Sequence, residues 1–125
     1  MEIHEARYPG RAPIDAYGNG GFRFADMSHR GSILCLPSGI YAWAPTDPGE
    51  IGPAALAPAL AEKAALGLLL LGTGRRQQLP GAEVRRAFAA AGVALEAMDT
   101  GAACRTYNVL LAEGRPAGAA LLAVA

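Results

Sequence analysis

Lysine is almost missing from this sequence: eleven side chains are basic, and Lys63 is the one lysine among them. Cysteine and histidine occur twice each, tryptophan once, and aromatic residues make up 6%. Each shortage excludes something. Eleven acidic residues balance the eleven basic ones, so no net charge draws the chain broadly to nucleic acid or an anionic membrane, although a local basic patch is still allowed. Cys35 and Cys104 form no C-x-x-C pair, and His4 and His29 are the sole imidazoles, so no metal site is expected. Two reduced, buried thiols are expected rather than a disulfide. The longest near-apolar run, 64–71, is 8 residues with a glycine inside. A membrane helix needs about 20, so a soluble protein without membrane insertion is expected. The opening MEIHEARYPG lacks the basic start and apolar stretch of a secretory signal.

What is present is aliphatic. Hydrophobic residues make up 52% of 125 positions, and a chain of that size buries roughly two-thirds of the surface its unfolded form exposes. A core of small aliphatic side chains is expected. No fixed-period repeat or long linker divides the chain, which predicts a single α/β domain over 1–125.

The first 45 residues are turn-rich and strand-like. Residues 14–17 precede Gly18-Asn19-Gly20-Gly21, a strong hairpin signal, and Phe22-Arg23-Phe24 then alternates. Residues 31–36 and 40–43 read as strands separated by Pro37-Ser38-Gly39. From Pro53 the rhythm changes to helix and strand in turn. Leu56, Leu60 and Ala64 share a face of an expected helix over 54–65. Residues 68–71 are short and aliphatic enough for a strand buried on both faces. Pro80 suits a helix start, Val84, Ala87, Phe88 and Ala91 form its stripe, and Gly92 stops it. A strand over 93–98 follows. A third helix, capped by Asp99 or Thr100, places Ala103, Tyr107 and Leu110 on one face and ends near Gly114; residues 117–124 form a last strand. This alternation predicts a three-layer α/β fold with a mixed central sheet, the early hairpins joining that sheet or forming a second one.

Ligands on such sheets gather at the carboxyl ends of parallel strands. Those ends are Gly72-Thr73-Gly74-Arg75-Arg76 and Met98-Asp99-Thr100-Gly101. If the two strands are neighbours, the glycines, the threonine hydroxyls, the N–H groups opening the third helix and Arg75, Arg76 or Arg105 would suit a carboxylate, sulfate or phosphate. The same residues also fit a purely structural role: Thr100 as an N-cap, Gly72-Thr73-Gly74 as a tight strand exit, the arginines as a solvated edge. The glycine spacing is neither a dinucleotide fingerprint nor a phosphate-binding Walker loop. Cys104 near a helix start beside Arg105 has features that lower a thiol pKa, but its alanine neighbours favour a packed thiol. Ser32 and Ser38 lie in no nucleophile elbow, so no catalytic residue and no cofactor is assigned. Trp43 is read as a core residue or as a half-exposed anchor for another protein.

Residues 98–108, MDTGAACRTYN, followed by Glu113-Gly114-Arg115 and Gly118-Ala119-Ala120-Leu121, resemble a small single-domain family of largely unknown function. Its members include the mitochondrial respiratory complex I assembly factor 3 and the adipogenesis-associated domain protein. Leu36-Pro37 ahead of Trp43 and the Leu71-Gly72-Thr73-Gly74 step extend the resemblance over nearly the whole chain, from about residue 14. It implies a compact three-layer α/β fold on a mixed sheet, and it carries no catalytic mechanism.

The leading expectation is therefore a non-enzymatic interaction module of the bacterial cytoplasm that aids assembly of a respiratory or other membrane complex. Its partners would be subunits or assembly factors, docking through Tyr41 and Trp43 or through the helix with Arg105 and Asn108; a homo-oligomer is also allowed. The alternative is an enzyme or small-molecule binder that uses Gly72, Thr73, Gly74, Asp99, Thr100 and Arg105 as an anion site. A nucleic-acid role ranks below both.

Overall fold

The computed structural model describes residues 7–125, so His4 lies outside the described residues. Among the described residues, nine strands form two sheets. The larger contains β1 (Arg7–Tyr8), β5 (Ser32–Leu36), β6 (Gly39–Trp43), β7 (Leu68–Gly72), β8 (Ala94–Met98) and β9 (Ala117–Leu121), in the order β1-β6-β5-β9-β7-β8. Strands β9, β7 and β8 run parallel, whereas β1, β6 and β5 add on antiparallel. The smaller is an antiparallel meander of β2 (Ala16–Gly18), β3 (Gly21–Phe24) and β4 (Met27–Arg30). The expected mixed α/β architecture is present, with a second small sheet.

Side-chain alternation explains the layers. Ile33, Cys35, Leu70, Ala119 and Leu121 point to one face of the large sheet; Leu34, Leu36, Leu69, Leu71 and Ala120 point to the other. Both faces are covered, which is why these strands read as unbroken aliphatic runs. The first core is closed by α3 (Thr100–Ala112), through Ala103, Cys104 and Tyr107, and by Phe22 and Phe24 of the small sheet. The second is closed by α2 (Ala82–Ala91), through Val84 and Phe88, with Leu56 and Ala59 beside it. From β7 the chain steps to β8 by way of α2, then back across β7 to β9 by way of α3. Right-handed crossovers taken in opposite directions send the two helices to opposite faces. The crevice between the ends of β7 and β8 is therefore the switch point of the sheet.

Three expectations need correction. The helix over 54–65 is broken into a 3-10 turn (Pro53–Leu56), a single α turn, α1 (Ala57–Leu60), and another 3-10 turn (Lys63–Ala65). Pro58 has no N–H to donate back, and no side chain caps any of the three starts. Pro80 lies before α2 rather than at its first position, because Gly81 is the N-cap. Strand β4 was not foreseen, because the turn that launches it, Ala25-Asp26, holds both residues at positive φ without a glycine. The Asn19-Gly20 turn, also positive at both positions, has the expected sequence. As expected, Gly92 ends α2 at φ 73°.

Candidate functional site

The register of β7 on β8 pairs Gly72 with Met98, so the two strand-end loops are neighbours. What they do with their polar groups is to bind each other. The Thr73 amide donates to the Met98 carbonyl at 2.9 Å, and its hydroxyl donates to the Arg76 carbonyl at 2.6 Å while accepting from the Gln78 amide at 3.0 Å. The Thr100 amide donates to the Gly74 carbonyl at 2.8 Å. Its hydroxyl accepts from the Gly74 amide at 2.9 Å and donates to the Leu122 carbonyl at 2.8 Å. Both threonines are buried. A Cβ on Gly72 would sit 3.1 Å from Thr100 Cα, so glycine lets α3 begin this close to β7 without a shift of a few tenths of an ångström.

Asp99 is the N-cap of α3, its carboxylate accepting from the Ala102 amide at 2.9 Å. The helix start thus already faces an anion of its own chain. Thr100, the first helical residue, ties three segments together instead of capping. Arg105 is not part of this corner: its Nη1 donates to the Tyr17 hydroxyl at 3.3 Å, over Gly101. Beside the corner, Gly74, Arg75 and Arg76 border an open basin of about 310 Å³ that is floored by Thr73 and Leu122 and does not include Thr100.

Of the residues named for docking, Tyr41 and Trp43 share one side of the large sheet, and Arg105 and Asn108 lie on α3 across it. Trp43 is buried in the α2-side core, and its indole N–H donates to the Ala55 carbonyl at 2.8 Å. It also lines an open pocket with Pro45, Glu50, Ala54 and Pro58. Tyr41 shares that side, its hydroxyl 2.6 Å from Ser38 Oγ, which in turn donates to Glu62 at 2.6 Å. Asn108 lies across the sheet on α3. Its side-chain oxygen accepts from the Ile14 amide and its Nδ2 donates to the Ile14 carbonyl, both at 2.8 Å. Such a pair of bonds is what a neighbouring strand would offer, and it holds the segment leading into β2 against α3.

Burial pushes the Cys104 thiol up to about 12, outweighing the opposing effect of Arg105. Burial, then the nearby Cys104, raises Cys35 further, and burial raises Tyr107 beside them. Both cysteines are free and belong to the same core. Burial packs both thiols and favours their protonated form. Sequence reasoning passed over Arg23 and Arg30, although each alternates with a buried neighbour (Phe22, Phe24, His29) and so faces outward.

These layers and this tightly bonded switch point define a three-layer α/β protein on a mixed sheet. Residues 14–122 match the family described as protein of unknown function (DUF498/DUF598), and the chain belongs to that family. It is 41% identical to an uncharacterized protein of Rhodobacter capsulatus, over 98% of this chain and 93% of the relative. It is 28% identical to the mouse NADH dehydrogenase [ubiquinone] 1 alpha subcomplex assembly factor 3 over 98% of this chain, spanning 66% of that factor's length. The crystal structure of an outer membrane protein from Bartonella henselae superposes with a TM-score of 0.92 at 51% identity, covering 94% of this chain and 99% of that one. Among the described residues, no helix is long and apolar enough to cross a membrane.

Proposed function

We propose that this chain is a non-enzymatic interaction module, acting in the cytoplasm, that helps assemble a respiratory membrane complex by holding one of its subunits or assembly factors. One observation carries the reading: nearly its whole length is similar to NADH dehydrogenase assembly factor 3. The site geometry supports it, because the hydroxyls of Thr73 and Thr100 and the amides of Thr100 and Ala102 at the start of α3 serve bonds within the chain. The test is deletion of the gene in its host, followed by native electrophoresis of the membranes with in-gel NADH dehydrogenase activity. Loss of the assembled complex, restored by the plasmid-borne gene, is the expected result; normal assembly in the deletion strain rejects the reading.

A second reading rests on the basin at Gly74, where Arg75 and Arg76 border an open volume of about 310 Å³. A small anion held there would raise the melting temperature by linkage to the native state. Arg75→Gln with Arg76→Gln is the variant to use, since Thr100 supports the fold itself. A melting-temperature shift with an anionic metabolite that is lost in that double variant supports this reading, and the absence of any such shift rejects it.

A further inference from the structure

The outer face of the small sheet carries an open basin of about 420 Å³. The β2–β3–β4 register puts Ala16, Arg23 and Ser28 in one row and Gly18, Gly21 and Arg30 in the next. Phe22, Phe24 and His29 point the other way and are buried. The floor is thus made of small residues, with two exposed guanidinium groups rising from it; Tyr17 shares the row of Phe22 and His29 and turns to α3. Gly21 cannot be enlarged, since a Cβ there would strike the backbone of β4.

Arg23 and Arg30 stand on adjacent strands in diagonal positions, which places their Cβ atoms roughly 7 Å apart. Like charges so placed repel. Among the described residues the one ion pair is Arg115–Glu113, and no acidic residue lines the basin. The face therefore offers two positive charges with no counter-charge from the described chain. In an extended peptide, side chains two residues apart lie on the same side with a spacing of about 7 Å. That spacing matches the two arginines better than a single phosphate does. Arginine is also among the residue types most enriched where partners bind tightly.

We propose that this face, with Arg23 and Arg30 as its anchors, docks an extended acidic segment of a partner protein bearing carboxylates at alternate positions. The inference rests on the interaction-module reading and supplies the surface and the partner's chemistry.

The test is fluorescence anisotropy with a labelled decapeptide of alternating Glu and Ser, its Gln-Ser counterpart and a peptide whose glutamates are consecutive. The Glu-Ser peptide is expected to bind best, and the Gln-Ser peptide not at all. Arg23→Gln with Arg30→Gln should weaken binding at least about tenfold, while Arg85→Gln on α2 leaves it unchanged. No binding of the Glu-Ser peptide, or an equal loss in Arg85→Gln, overturns the proposal. Tighter binding of inorganic pyrophosphate makes this a small-anion site, and self-association lost in the double variant makes it a contact between copies; either also overturns it. The double variant expressed in the deletion strain separates the two claims. Full restoration of complex assembly removes this surface and leaves the module reading intact, whereas normal assembly without the gene removes the module reading while the peptide result still stands.

Discussion

At the ends of β7 and β8, Thr73 and Thr100 are buried with both hydroxyls bonded on two sides. On the outer face of β2–β4, Arg23 and Arg30 are exposed and without an ion-pair partner among the described residues. The strand-end crevice has the residue types and topology of a binding site, and its groups are used to hold three chain segments together. The small sheet has no motif, yet its charges remain available. Position at a switch point says where a ligand can bind; whether donors and acceptors are still free decides if one does.

The largest way to break this comparison is Thr100→Val. It keeps the shape, but strands the Leu122 carbonyl and the Gly74 amide, so the loss of stability should be about 3 kcal/mol in urea unfolding. Thr100→Ser should stay within about 1 kcal/mol of the parent. A Thr100→Val protein as stable as the parent would mean that the hydroxyl is free for another use.

Asn108→Ala comes next. Two bonds to Ile14 are lost, and the expected cost is about 2 kcal/mol, together with faster hydrogen exchange at the Ile14 amide. Unchanged exchange would return Asn108 to the surface as a docking residue.

Each buried thiol gives a smaller, pH-dependent effect. In the unfolded chain a thiol loses its proton near its ordinary value of 9.0, whereas in the fold Cys104 keeps it until about 12. Between these values the unfolded state binds fewer protons, so stability is full below 9.0 and falls as pH rises towards about 12. At pH 10 the loss should be about 1.4 kcal/mol per thiol, read as a shift of the urea midpoint that becomes shallower in Cys104→Ala. A midpoint flat from pH 8 to 10 would contradict the burial account.

Least of all should the fold respond to Arg23→Gln and Arg30→Gln, each changing stability by under about 0.5 kcal/mol in the same assay. A larger loss would show that the arginines are structural after all, and would align the small sheet with the crevice.

The parallel half of the fold was legible because its signals are local and strong: aliphatic runs at 68–71 and 117–121, the Val84-Phe88 stripe, the glycine stop at 92. The small sheet was only half legible. Asn19-Gly20 announces its turn, but Ala25-Asp26 makes the same geometry without glycine, and the polar Met27–Arg30 strand shows no apolar run. The 54–65 segment misled because apolar spacing there agrees with a helix while Pro58 and the uncapped starts do not. For the crevice, the sequence places the right residues side by side, yet whether Thr100 is a ligand group or a tie depends on the Gly74 amide and the Leu122 carbonyl, both distant in the chain. Arg105 was grouped with that corner by proximity in sequence; the helix carries it to Tyr17 instead.

The most direct test of the contrast is a titration of the isotope-labelled protein with the Glu-Ser decapeptide, followed by amide shifts in ¹⁵N spectra. The account predicts shifts confined to residues 16–30, with residues 72–76 and 99–101 unmoved. Shifts centred on Gly74, Arg75 and Thr100, with the small sheet silent, would contradict it.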